Sequence, residues 1–143
     1  MRKFLSLVMV YLLLGGNSFA YGHNSFNGAG IQEVTVNLPE MISSETHKIG
    51  QIVSGYLRKA AVNEYGHVVA LDGARVDIII VYAVNCMNGR SQLQLQVYKI
   101  LTRWGEMEAV ETEPVIIRTK ERPATTYSNG RHSIRFKVRK ARN

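Results

Sequence analysis

The sequence predicts an α+β domain, one mostly antiparallel sheet with a single amphipathic helix packed on one face. Three observations carry that expectation. From Ser44 to about Tyr65, Ile49, Ile52, Val53, Tyr56, Leu57, Ala60 and Ala61 recur at the three- and four-residue spacing of a helix face. Elsewhere "VDIIIVYAVN" and "SQLQLQVYKILTRW" are long strand candidates. Asn88-Gly89 lies between these two runs and is a strong hairpin signal, because both central residues of a type I′ turn take positive φ. The order strand, helix, short strand, long hairpin, further strands then fits a helix laid across an antiparallel sheet.

The chain opens with Arg2 and Lys3, an apolar run from Phe4 to Leu14, and small and polar residues ending at Ser18-Phe19-Ala20. This is the pattern of a secretory signal peptide over residues 1–20, cut after Ala20. Gly15, Gly16 and Asn17 break the helix where a membrane anchor would continue, and no cysteine near the cut suits a bacterial lipid anchor. Residues 21–30, "YGHNSFNGAG", have no apolar period and read as a flexible lead-in. Residues 31–143 then form a single domain with a basic C-terminal strand. The 123 residues from Tyr21 to Asn143 suffice for one core and are too few for two.

Within the domain, "EVTVNLP" alternates Val34, Val36 and Leu38 against polar neighbours and stops at Pro39, as a half-buried strand does. For the expected helix, Ser43 or Ser44 supplies a cap, Glu45 suits the positive end of the dipole, and Gly66 is placed to end it. Gly50 and Gly55 weaken that helix, and a close approach to the sheet would explain them. "HVVAL" gives a short strand and Asp72-Gly73 a turn.

If Asn88-Gly89 is the two-residue loop, Met87 faces Arg90 and the register of the long hairpin follows. Ile78, Ile80, Tyr82 and Val84 then share the helix-covered face with Leu93, Leu95 and Val97. The opposite face carries Ile79, Val81 and Ala83 beside Gln94, Gln96 and Tyr98. "EMEAVETEPVIIRT" reads as a further strand that Pro114 breaks or confines to an edge. A second turn at Asn129-Gly130 could join "ATTYS" to "RHSIRFKVRK", with Ile134, Phe136 and Val138 inward and Arg135, Lys137 and Arg139 in solvent.

In element order, "VDIIIVYAVN" followed by "QLQLQVYKILTRWGE" is similar to periplasmic domains of bacterial envelope-assembly proteins, such as the curli secretion channel and the outer-membrane lipoprotein activators of peptidoglycan synthases. The likeness spans roughly residues 45–118, carries no invariant motif, and lacks the lipid-anchor cysteine of those proteins. It implies a role in the envelope and assigns no residue a function.

Catalytic and metal motifs are sparse. His23, His47, His67 and His132 stand singly beside one cysteine, so no zinc pattern exists, and the sequence implies no cofactor. Nucleophile elbows and phosphate-gripping glycine loops are missing. Cys86 has no partner for an internal disulfide and is expected to be buried as a small apolar residue.

Charge is the stronger signal. Without the signal peptide the formal +7 becomes +5, and its distribution is lopsided. Before Arg118 seven Lys/Arg face ten Asp/Glu, whereas from Arg118 onward nine face one. In "SIRFKVRK" cations alternate along a strand, about 7 Å apart, which suits anions repeated along a polymer or a membrane face. The competing reading is an edge strand protected by charge. Arg118, Lys120, Arg122 and Arg131 extend the positive field beyond what edge protection needs.

The sequence therefore favours an exported, periplasmic or secreted, non-enzymatic binding or assembly protein of the bacterial envelope or a secretion system. Arg131, Arg135, Lys137, Arg139 and Lys140 are its expected binding residues. Its expected partner is an envelope or secretion-system protein, an anionic envelope polymer, or a lipid surface. Nucleic acid is disfavoured, because Tyr127 and Phe136 are the only aromatics of this region and Phe136 should be buried. The alternative is a secreted effector or small enzyme whose only handles are His47, Glu45 and Asp77.

Overall fold

A computed structural model describes residues 30–126 and 133–139. The expected signal peptide, the lead-in, the Asn129-Gly130 turn, Arg131 and Lys140 lie outside these residues. The strands are β1 (Glu33–Asn37), β2 (Ile42–Ser43), β3 (Ile52–Leu57), β4 (Ala61–Val62), β5 (Val68–Ala70), β6 (Arg75–Met87), β7 (Arg90–Leu101), β8 (Met107–Ala109), β9 (Val115–Lys120), β10 (Thr125–Thr126) and β11 (Ile134–Lys137). Among the described residues there is no helix, so the domain is all-β and the α+β expectation is corrected. Equally, no helix there is long and apolar enough to cross a membrane.

The expected helix fails at its glycines. Ser43 Oγ does accept the Glu45 N–H (3.1 Å), and His47 N–H reaches Ser43 O (2.9 Å), so one capped turn forms. It stops at Gly50, whose φ of +90° lies outside helical space. The chain then runs as β3 with Val53, Gly55 and Leu57 turned inward and Ile52, Ser54 and Tyr56 in solvent. Gly55 is required there, because a Cβ at this position would sit 2.7 Å from Asn37 O and 2.8 Å from Val36 Cγ1. A strand whose central inward residue is glycine and whose outward residues include Ile52 and Tyr56 leaves apolar side chains at helical spacing in the sequence.

Seven strands form the main sheet, in the order β9-β7-β6-β3-β1-β11, with β8 also pairing β7 and every pairing antiparallel. β8 and β9 lie end to end along β7, separated by the break that Pro114 foreshadows. Within the break, the backbone crosses to the far edge of β11. Glu113 N–H donates to Lys137 O (2.8 Å), Arg139 N–H to Glu111 O (3.0 Å), and Thr112 bridges Val138. The sheet thereby closes into a barrel. β10 pairs β2 and not β11, so among the described residues of "ATTYS" and "RHSIRFKVRK" the expected hairpin pairing is absent.

Thr112 is fully buried at this seam. Its Oγ1 accepts the Val97 N–H (3.0 Å) and its carbonyl accepts Gln96 Nε2 (2.7 Å), so side-chain groups replace the ladder that the β8–β9 break interrupts. Inside the barrel lie Val34, Val36, Leu57, Val76, Ile78, Ile80, Leu93, Leu95, Val97, Ile100 and Phe136, all buried. In β11 and the two residues after it, Phe136 and Val138 are buried, Ile134 is half-buried, and Arg135, Lys137 and Arg139 are exposed, as the alternation predicts.

Two substitutions test this account. Thr112→Val keeps the shape but strands the buried Val97 N–H, and should lower unfolding free energy by about 1–3 kcal/mol in denaturant titrations, with Thr112→Ser losing less. Gly55→Ala should destabilise by a similar amount, about 1–3 kcal/mol, through its clash with Asn37 and Val36. An unchanged midpoint for Gly55→Ala would mean that β1 and β3 are not held this close.

Candidate functional site: a cationic cleft at the hairpin tip

The β6–β7 turn forms as the dipeptide requires. Asn88 and Gly89 both have positive φ (+54° and +74°), and Met87 pairs with Arg90. Beyond the turn, however, irregularities interrupt the register, between Val84 and Met87 and between Ile80 and Tyr82. Each inserts an extra residue into β6, and one extra residue reverses which face the following side chains take. Ile78 and Ile80 are buried on the face shared with Leu93, Leu95 and Val97, as expected, but the extra residues shift their partners from Lys99 and Val97 to Val97 and Leu95. Tyr82 and Val84 instead pair with Gln94 and Gln92 on the outer face, which corrects their expected placement in the core.

The same irregularity expels Cys86, which has φ +53° and is exposed, not buried. Its N–H donates to Ser91 Oγ (2.8 Å), and the Ser91 hydroxyl lies 3.7 Å from the thiol sulfur.

β9 completes this outer face. Its register places Ile116 beside Gln94, Arg118 beside Gln92 and Lys120 beside Arg90. Together with the hairpin pairs, three cross-strand rows result: Tyr82, Gln94 and Ile116; Val84, Gln92 and Arg118; Met87, Arg90 and Lys120. Beyond β9 the chain folds back toward the tip. Glu121, at φ +58°, donates its N–H to Gly89 O (2.8 Å), and Thr119 Oγ1 donates to Arg122 O (2.6 Å). Ala124 is fastened to Ser44 by N–H bonds in both directions, Ser44 N to Ala124 O (2.8 Å) and Ala124 N to Ser44 Oγ (2.9 Å).

The result is an open cleft of about 920 Å³ with Arg90, Arg118, Lys120 and Arg122 around it, Tyr82, Val84 and Met87 as its apolar lining, and no carboxylate among its lining residues. None of the four cations is in an ion pair among the described residues. Arg90 and Lys120 are direct cross-strand neighbours of like charge, an arrangement that destabilises a sheet unless an anion lies between them.

The cations of β11 stand in different surroundings. Arg139 pairs with Glu111 (2.9 Å), Lys137 lies across from Glu33, and Glu111 and Glu113 border the seam. Their row faces solvent, but carboxylates interleave with it. Of the expected binding residues, Arg135, Lys137 and Arg139 are therefore displayed together on one strand, apart from the cleft lining. Arg90 was missed by sequence reasoning, because only the β7–β9 register brings it beside Lys120.

The groups expected for chemistry do not line the cleft. His47 Nδ1 accepts the Ser43 N–H (3.1 Å), and Asp77 pairs with Arg75 (2.9 Å) and Ser54 Oγ (3.4 Å). No hydrogen bond or ion pair joins His47, Glu45 and Asp77 to one another among the described residues. Nor do three His, Cys, Asp or Glu side chains gather there in a metal-holding group. Comparisons with protein families, with curated proteins and with solved structures find no match for this chain.

Lys120→Gln should stabilise the fold by about 0.2–1 kcal/mol, because it relieves repulsion from Arg90. Thermal unfolding at low and high salt checks this: the gain should shrink as salt screens the pair. A loss of stability at low salt would show that Lys120 has a compensating partner.

Proposed function

We propose that this chain is an exported, non-enzymatic binding protein of the bacterial envelope or a secretion system, and that it captures an anionic partner at the hairpin-tip cleft. The observation that carries the reading is the convergence of Arg90, Arg118, Lys120 and Arg122 on one cleft with no carboxylate among its lining residues. Uncompensated like charges cost stability, and an anionic ligand converts that cost into binding free energy. The β11 row, Arg135, Lys137 and Arg139, flanks the reading as a secondary positive surface moderated by Glu33, Glu111 and Glu113. Export rests on the signal-peptide pattern of residues 1–20.

Fractionation of cells producing the chain tests both parts. The native protein should leave the cytoplasm, sediment with the envelope at low salt and be released at high salt. A variant carrying Arg90→Ser, Arg118→Ser, Lys120→Ser and Arg122→Ser should be soluble at low salt, while Arg135→Ser with Lys137→Ser should remain bound. If only the β11 variant is released, the cleft is not the docking site. If the native protein is freely soluble at low salt, envelope capture is wrong.

A further inference from the structure

Two independent features meet at β9. The first is the uncompensated charge. The second is a free sheet edge: among the described residues the only ladder partner of β9 is β7, and no backbone N–H or C=O from Val115 to Lys120 has a further partner there. The bond from Glu121 N–H to Gly89 O fixes the parity of that ladder. Val115, Ile117 and Thr119 bond toward β7, so the N–H and C=O groups of Ile116, Arg118 and Lys120 point away from the sheet. The side chains of these same three residues are the exposed ones of β9.

We infer that β9 takes an extended acidic segment of a partner protein as an added strand, with its carboxylates against Arg118 and Lys120. The inference rests on the reading of the cleft as an anion-binding site and names its ligand. Strand addition supplies main-chain bonds from the edge and sets every second ligand side chain opposite a β9 side chain on the same face. Arg118 and Lys120 are two residues apart, about 7 Å, which is the spacing of alternate residues in the incoming strand. Acidic side chains at alternate positions therefore meet Arg118 and Lys120. The residues between them turn to the other face, beside Val115 and Ile117, which are half-buried and packed against the core. The recognised pattern is acidic and apolar residues in alternation. Cations on a sheet edge also repel basic strands, so the same charges would select among partners.

The test measures fluorescence anisotropy of labelled acetyl-(Glu-Val)3-amide with the chain lacking residues 1–20. The peptide should bind, its lysine-for-glutamate counterpart should not, and Arg118→Ser with Lys120→Ser should abolish binding. Ile116→Pro removes one outward N–H at a position where an edge strand admits proline, and should weaken peptide binding about tenfold or more while salt-sensitive binding of polyphosphate persists. Should Ile116→Pro fail to fold, peptides N-methylated on either the Glu or the Val nitrogens replace it. One set faces β9 and should lose binding, whereas the other should keep it. Equal binding by both methylated peptides would overturn strand addition and leave a charge-only site. Binding of polyphosphate or anionic phospholipid vesicles without peptide binding would overturn the acidic-segment assignment alone. Binding of none of these would remove the anion-site reading as well.

Discussion

One buried residue, Thr112, ties both sides of the barrel seam together. Between β8 and β9 the backbone leaves the β7 ladder, and Val97 N–H would be orphaned in the interior without Thr112 Oγ1. An unpaired buried amide costs about 1–3 kcal/mol, a sizeable share of the stability of a small domain. The same residue bridges Val138, so it serves two strands at once, one through its side chain and one through its backbone. Pro114, just beyond it, has no N–H to offer a ladder, which is consistent with a break at this point. Closure here seals the outer edge of β11 from Lys137 to Arg139 while leaving that of β9 open.

The location of the cationic site follows from this division. Charge on β11 lies at a sealed seam, among Glu33, Glu111 and Glu113, whereas charge on β9 lies at an open edge, over a cleft with no acid among its lining residues. Two irregularities in β6 complete the difference. By turning Tyr82 and Val84 outward they give the cations an apolar floor, and a floor of that kind excludes water from one side of a bound anion. Charge alone would make a solvated patch; charge over an apolar surface beside a free edge makes a place where a chain can lie.

Much of this was legible in the sequence where local rules govern. The Asn88-Gly89 turn, the break at Pro114 and the alternation of β11 each depend on a few neighbouring residues. The helix was misread because Gly55 occupies an inward strand position for a reason found only in β1, the proximity of Asn37 and Val36. Tyr82, Val84 and Cys86 were misplaced because extra strand residues carry no compositional mark. The candidate site was half visible: Arg118, Lys120 and Arg122 stood out as excess charge, but their grouping with Arg90 required the register of β9 on β7 and the return across Gly89.

The pairing of β1 with β11 joins the first and last strands of the main sheet, with Val36 opposite Ile134. Closing a loop of that length is entropically slow, and neither this pairing nor the Thr112–Val138 seam can form until the final segment is available. A chain emerging from a ribosome or threading a translocation channel therefore cannot complete its ring early. The order of the strands along the chain thus sets the order of assembly, with the ring completed last.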